Sequence, residues 1–229
     1  MINFYNVDCV EFMKTIPDKH YDLAWCDTPY GIGEDGSKNH TRGKVCKAKD
    51  YKPYAGNDKI APNSEYWNEL MRISKNQIVW GANHFISKIP FDSSCWIVWD
   101  KINGDIDFAD CEMAWTSYKT AVRIFRWKWN GMLQQNMKNK QDRIHPNEKP
   151  IELMRWCLNK YAKQGDKIFS SHGGSMKDAI ACDIEGFDLD ICELDKHYFN
   201  LGVDEYKKHK RQFVLFDNNK IQQVQKTLF

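Results

Sequence analysis

Short apolar runs of strand length alternate with helically spaced apolar positions along most of the chain. Residues 2–6 read as a short strand. From Cys9 to Ile16 the apolar positions Val10, Phe12, Met13 and Ile16 recur at helical spacing, with Asp8 placed as an N-cap. Residues 21–26 form an apolar run that predicts a buried strand. From Gly31 to about Asn63 the chain is polar, basic and rich in Gly and Pro, without strong periodicity. Loops of that length are usually functional or mobile. Ser64 to Ser74 predicts a helix capped by Ser64, Gln77–Trp80 a strand, and His84–Lys88 a short helix. Cys95–Trp99, Glu112–Ser117 and Ala121–Phe125 predict three closely spaced strands, which point to an antiparallel end of a sheet. Residues 130–149 are again polar and basic. Pro150 opens a helix to about Tyr161, with proline at its first position. Two β-α units follow: Lys167–Ser170 with a helix from about Lys177 to Ile184, then Leu189–Cys192 with a helix from Asp195 to about Lys208. The weakly patterned tail from Arg211 is expected to be partly extended. This alternation predicts an α/β fold, a Rossmann-like doubly wound and mostly parallel sheet with an antiparallel end strand and helices on both faces.

Composition narrows the setting. A length of 229 residues suits one domain, and no internal repeat is visible. No apolar run approaches the roughly 18 residues of a membrane span, and the start Met-Ile-Asn-Phe-Tyr-Asn, with Asp8 soon after, predicts no secretory leader. The eight cysteines contain no C-x-x-C pair, so free thiols in a reducing compartment are expected, with no disulfide and no metal site. The net charge of +2 conceals a strong asymmetry. Residues 36–59 carry +5, residues 119–149 carry +6, and the remainder is −9. Both basic segments hold aromatics: Tyr51 and Tyr54 in the first, Phe125, Trp127 and Trp129 in the second. Two such segments in an acidic chain point to a nucleic acid partner, against the alternative of solvated loops.

Three constellations carry candidate chemistry. Asp27-Thr28-Pro29-Tyr30 directly follows a predicted strand. In an open parallel sheet, ligands bind outside the carboxyl ends of the strands. A carboxylate, a rigid proline and an aromatic ring suit a flat base bearing an amine, although Asp and Pro also make ordinary turns. Gly173-Gly174-Ser175 lies between a predicted strand and a predicted helix, where backbone N–H groups are free to meet a ligand. Glu193 follows about twenty residues later at the next strand end, where an acid commonly holds ribose hydroxyls. A tight turn followed by a helix cap is the alternative for this pair. His145-Pro146-Asn147-Glu148-Lys149-Pro150 stands immediately before a helix and directs one lysine toward a carboxylate.

In this order, these motifs resemble the DNA amino-methyltransferases of permuted motif order, the beta group, and most closely the small phage-type adenine methylases. Trp80-Gly81-Ala82-Asn83-His84-Phe85, Trp96 to Lys101 and Phe108 to Trp115 are similar to the family's middle strands, so the resemblance spans nearly the whole chain. It implies a single methyltransferase domain over 1–229, with DNA-facing basic loops at 31–63 and 123–149 and a tail at 211–229. The implied cofactor is S-adenosylmethionine, the implied partner double-stranded DNA, and the implied setting the cytoplasm of a bacterial or phage-infected cell, as in restriction-modification. The target base would be flipped out of the duplex. Asp27 and the Thr28 carbonyl would accept hydrogen bonds from its amine, Pro29 would fix the loop, and Tyr30 would stack on the base. Asp8, with Cys9, would meet the cofactor's adenine, and Glu193, with Leu194, its ribose. Asp27, Lys149, Ser170, His172, Gly173, Gly174 and Ser175 would surround its methionine end.

Two positions depart from the family pattern. Thr28 replaces a proline but acts through its carbonyl. Ser170 stands where the family has a carboxylate for the cofactor's ammonium, and Met176 where glycine is common. Losing a charge-assisted bond there would cost about 1.5–3 kcal/mol. An aspartate at position 27 leans toward adenine N6, since serine is more usual in the cytosine N4 group. A degenerate DNA-binding protein of the same fold and an RNA-directed enzyme are the other readings, because a fold does not fix a substrate. Gln225-Lys226-Thr227-Leu228-Phe229 resembles the peptide with which bacterial proteins dock on the replication sliding clamp, or is an ordinary amphipathic tail.

Overall fold

The computed structural model describes residues 1–33, 51–52, 58–104, 109–130 and 133–226. The strands are β1 (Ile2–Tyr5), β2 (Tyr21–Asp27), β3 (Ser74–Trp80), β4 (Trp96–Asp100), β5 (Cys111–Thr116), β6 (Arg123–Arg126), β7 (Trp129–Asn130), β8 (Leu133–Gln134), β9 (Lys167–Ser170) and β10 (Asp188–Cys192). The helices are α1 (Cys9–Lys14), α2 (Ser64–Ile73), α3 (Ile151–Tyr161), α4 (Lys177–Glu185) and α5 (Lys196–Lys226). Eight strands form one sheet in the order β1-β10-β9-β2-β3-β5-β4-β6, and β7 and β8 make a small separate hairpin.

The sheet is parallel except for β5, which runs against both β3 and β4. The antiparallel strand expected at the end of the sheet therefore lies inside it, and the edge strand β6 is parallel to β4. From β9 the chain moves through α4 to β10, whereas from β2 it moves through α2 to β3 on the opposite side. The strand order thus reverses between β9 and β2. That reversal opens a crevice at the carboxyl ends of the two strands, the usual ligand site of an open α/β sheet.

Both faces of the sheet are covered. Ala24, Cys26, Val79 and Phe169 pack with Met13 of α1 and Trp67, Leu70 and Ile73 of α2. On the other face Leu23, Trp25, Ile78 and Ile168 pack with Leu153, Met154 and Leu158 of α3 and Ala179 and Cys182 of α4. Alternate residues of β2 go to opposite faces, as strand geometry requires. Nearly every position of the strand is therefore apolar.

Local signals set most boundaries. The Asp8 carboxylate accepts the N–H groups of Val10 (2.8 Å) and Glu11 (3.2 Å) and so caps α1. Helix α2 starts at Ser64, but its cap is Asn63, whose side chain accepts the Tyr66 N–H at 2.9 Å. The short helix near residue 84 is two 3₁₀ turns, Ala82–His84 and Ile86–Lys88. The 123–149 segment contains β6 and the β7–β8 hairpin as well as loop. The tail from Arg211 is not extended, because α5 continues to Lys226. Most of the basic 31–63 segment, and Thr227–Phe229 of the tail, lie outside the described residues. The seven cysteines among the described residues are all free, and no helix among those residues is long and apolar enough to cross a membrane.

Candidate active site

Asp27 is the last residue of β2, and the loop after it is fixed by a residue far along the chain. The Asp58 carboxylate accepts the backbone N–H groups of Tyr30, Gly31 (3.1 Å) and Ile32 (3.4 Å). Thr28 is buried, and its hydroxyl has no hydrogen-bond partner among the described residues. The Tyr30 ring lies against Gly81, which has a positive φ of 72°. A Cβ built there would fall 2.0 Å from the ring, so glycine is required for the approach. On one face Tyr30 stacks with the exposed His84, with ring centroids 5.2 Å apart and planes 15° apart. The ring expected to stack on a base thus carries an imidazole in its place.

Asp27 belongs to a compact charge network. Lys149 Nζ lies 2.5 Å from Asp27 Oδ1, 3.1 Å from Glu112 Oε2 and 2.9 Å from the Tyr30 hydroxyl. That hydroxyl is 3.1 Å from each of Asp27 and Glu112 and can donate to either carboxylate. Lys101 Nζ closes the network at 2.5 Å from Glu112 Oε1. Burial opposes the ionisation of Glu112, but Lys149 and Lys101 outweigh it and pull its pKa down to about 2. Burial pushes the Asp27 pKa up, Lys149 pulls it down and Glu112 pushes it up, with a net rise. Burial disfavours the Lys149 ammonium, yet Asp27 and Glu112 together keep its pKa above the usual lysine value. Lys149, expected at the methionine end of a cofactor, therefore sits on the candidate catalytic carboxylate.

The glycine loop leaves β9 beside this network. Gly173 N–H donates to the Cys192 carbonyl at 2.7 Å, which ties the loop to the end of β10. The Glu193 carboxylate accepts the N–H groups of Gly174 and Asp195, both at 2.7 Å. Asn6 donates to the carbonyls of Glu193 (2.8 Å) and Leu194 (3.1 Å), so the ends of β1 and β10 are joined; Leu194 itself is exposed. On the other side of the loop His172 bonds Ser171 Oγ at 2.7 Å and stands 3.9 Å from Cys9 Sγ. Burial lowers the His172 pKa to about 4, against the pull of nearby Asp8, so the ring is neutral at pH 7. His145 packs within 3.8 Å of the position a Gly174 side chain would take, and burial lowers its pKa to about 3.

Ser170, where a carboxylate was expected, donates from Oγ to Asp178 Oδ2 at 2.7 Å. Asp178 stands in the first turn of α4. Ser175 is buried at the end of the loop. Met176 adopts the left-handed conformation that favours glycine, with φ of 56°. Its side chain lies where a Cβ on Gly173 or on Gly202 of α5 would be, so each glycine makes room for it.

All the residues singled out from sequence therefore border one crevice across the ends of β1, β10, β9 and β2. Four others were missed: Asp58, Lys101, Glu112 and Asp178. Asp178 carried a usable signal, being an acid one turn into a helix that follows a glycine loop. Glu112 and Lys101 are brought in by sheet topology, and no local pattern marks them.

Comparisons place this arrangement among known proteins. No family model matches the chain. The type II methyltransferase M.HinfI of Haemophilus influenzae is 26% identical over 207 residues, covering 73% of this chain and 58% of its own length. The chain thus spans little more than half of that curated relative. Among solved structures, a complex of M1.HpyAVI with SAM superposes with a TM-score of 0.52 at 18% identity, covering 90% of this chain and 100% of that one. The DNA modification methylase TTHA0409 of Thermus thermophilus, complexed with S-adenosyl-L-methionine, gives 0.57 at 14% identity, covering 91% and 96%. The cytosine-N4-specific PvuII DNA methyltransferase gives 0.55 at 12% identity, covering 88% and 85%. The chain has the fold of the DNA methyltransferases and, in sequence, is similar to one of them.

Proposed function

We propose that the protein is an S-adenosylmethionine-dependent DNA methyltransferase acting on the exocyclic N6 amine of adenine. The carrying observation is the convergence of Asp27–Tyr30, Gly173–Ser175 and Glu193 on one crevice, at the point where the strand order reverses. The similarity to M.HinfI supports the activity class.

The crevice fits an amino acid joined to a nucleoside. Glu193 offers carboxylate lone pairs beyond those used by two backbone N–H groups, and so can serve a ribose. Asp8, exposed at the head of α1, has one oxygen outside its capping role. Bound S-adenosylmethionine would supply an electrophilic methyl group. Asp27 and the Thr28 carbonyl would accept the two amine hydrogens of the flipped base, turn its lone pair toward that methyl and stabilise the positive charge that develops. Burial raises the Asp27 pKa, which suits it to take the proton that the methylated amine must lose. Lys149 must loosen its contact with Asp27 for the amine to enter, and Glu112 stands ready to hold the ammonium when it does.

The test is methyl transfer to duplex DNA, followed by digestion to nucleosides and identification of the product by mass. N6-methyladenine is expected, and N4-methylcytosine would overturn the base assignment. Asp27→Ala should reduce transfer by at least two to three orders of magnitude, as loss of a group that stabilises developing charge does, with the fold intact by circular dichroism. Undiminished transfer would refute the role of Asp27.

A further inference from the structure

We propose that Asp178, carried to the end of β9 by α4, supplies the negative charge for the ammonium group of the bound cofactor's amino-acid moiety. The inference rests on the cofactor assignment above and concerns which residue of this chain completes it.

Four carboxylates other than Glu112 border the crevice, and three are already engaged. Asp8 caps α1 through two backbone N–H groups. Asp27 holds Lys149 at 2.5 Å. Each oxygen of Glu193 takes a backbone N–H at 2.7 Å. Asp178 instead accepts only uncharged donors, the Ser170 hydroxyl at 2.7 Å and the Trp25 indole. Among the described residues, no cation lies within ion-pairing distance of it. A carboxylate enclosed by protein without a counter-charge is costly to keep. This one is not sealed off, because Asp178 is half-buried. It is not a helix cap either, since α4 begins without a side-chain cap.

The sequence supports the same reading. Ser170 occupies the strand-end position where the resemblance implies a carboxylate, and its hydroxyl donates straight into an acid eight residues later. The two positions have exchanged duties. The acid has moved to the helix side of the loop, and the strand side keeps the donor that orients it. An ammonium entering above the loop would meet a carboxylate fixed at one oxygen by Ser170, with lone pairs left to accept its N–H groups.

The exchange can be undone by mutation. Binding of S-adenosylhomocysteine, which carries the amino-acid moiety, is measured by calorimetry beside binding of 5′-methylthioadenosine, which lacks it. Asp178→Asn should weaken S-adenosylhomocysteine by about tenfold to a hundredfold and leave methylthioadenosine within about twofold. Asp178→Ser should behave alike, and adding Ser170→Asp to it should recover most of the lost affinity. Equal losses for both ligands would make Asp178 a structural residue and overturn the proposal, as would full affinity in Asp178→Asn. A double variant that binds no better than Asp178→Ser would also overturn it. If the wild-type protein binds neither ligand, the cofactor assignment itself falls. If the wild type binds both and only the Asp178 predictions fail, that assignment stands.

Discussion

At the scale of single residues, Asp178 imposes a cost on the ligand-free protein that depends on pH. Burial is the largest influence on its carboxyl; Asp27 adds to it, Ser170 and Lys149 oppose it, and the pKa rises from 3.8 to about 7. The unfolded chain therefore loses this proton first. Between about pH 4 and pH 7 the unfolded state binds fewer protons at this site, so its contribution to stability falls as pH rises, then levels off. Asp178→Asn removes the ionisation altogether. The variant should melt higher than wild type at pH 8 and close to it at pH 4, with a shift on the order of 2–4 °C for each kcal/mol relieved. Thermal melts without ligand at the two pH values decide it; a difference independent of pH would refute this account. A substitution that stabilises the free protein while weakening its ligand is the expected signature of a residue kept for function.

At the scale of elements, strand direction explains both what the sequence disclosed and what it hid. Asp27, Ser170 and Glu193 could be read as a site because each stands at the end of an apolar strand, and parallel strands all end on one side. Glu112 precedes most of its strand. It reaches the same side only because β5 is antiparallel, so that its beginning lies level with the ends of its neighbours: Glu112 pairs with Trp99, and Ala114 with Trp80. Without the sheet order nothing placed Glu112 beside Lys149. Asp58 was hidden because its work is backbone capture across 28 residues, which leaves no periodicity. The helical stretch after Arg211 escaped notice because its apolar positions are weakly patterned, although no Gly or Pro interrupts the chain from Val203 to Lys226. The antiparallel strand also leads to a prediction. Glu112→Gln strips the shared partner from Lys149 and Lys101 and should destabilise the protein by about 1–3 kcal/mol. Lys149 should then settle wholly on Asp27, and methyl transfer should fall with little change in cofactor affinity. Denaturant melts and single-turnover transfer measure the two effects; a variant as stable and as fast as wild type would show that the network is idle.

At the scale of the whole molecule, the charge asymmetry is resolved into two jobs. Lys149, from the second basic segment, is spent inside the site, where its side chain is only 9% exposed. Arg123 and Arg126 stand exposed on the edge strand β6. Because β6 is parallel to β4, Arg126 lies level with Asp100 at the carboxyl end of the sheet, the side that holds Asp27. An edge strand also benefits from charge that discourages pairing with other chains, so solubility alone could account for the two arginines. Salt separates the alternatives. If both arginines neutralise phosphates, replacing them with glutamine should weaken binding to duplexes of any sequence. The slope of log affinity against log salt should then become shallower by roughly 1–2. Binding of S-adenosylhomocysteine should stay unchanged, since neither side chain is among those that border the crevice. Fluorescence anisotropy of a labelled duplex at several salt concentrations reads the slope directly. An unchanged slope would confine β6 to guarding the sheet edge and leave phosphate contact to other basic positions, such as the exposed Lys138 and Lys140.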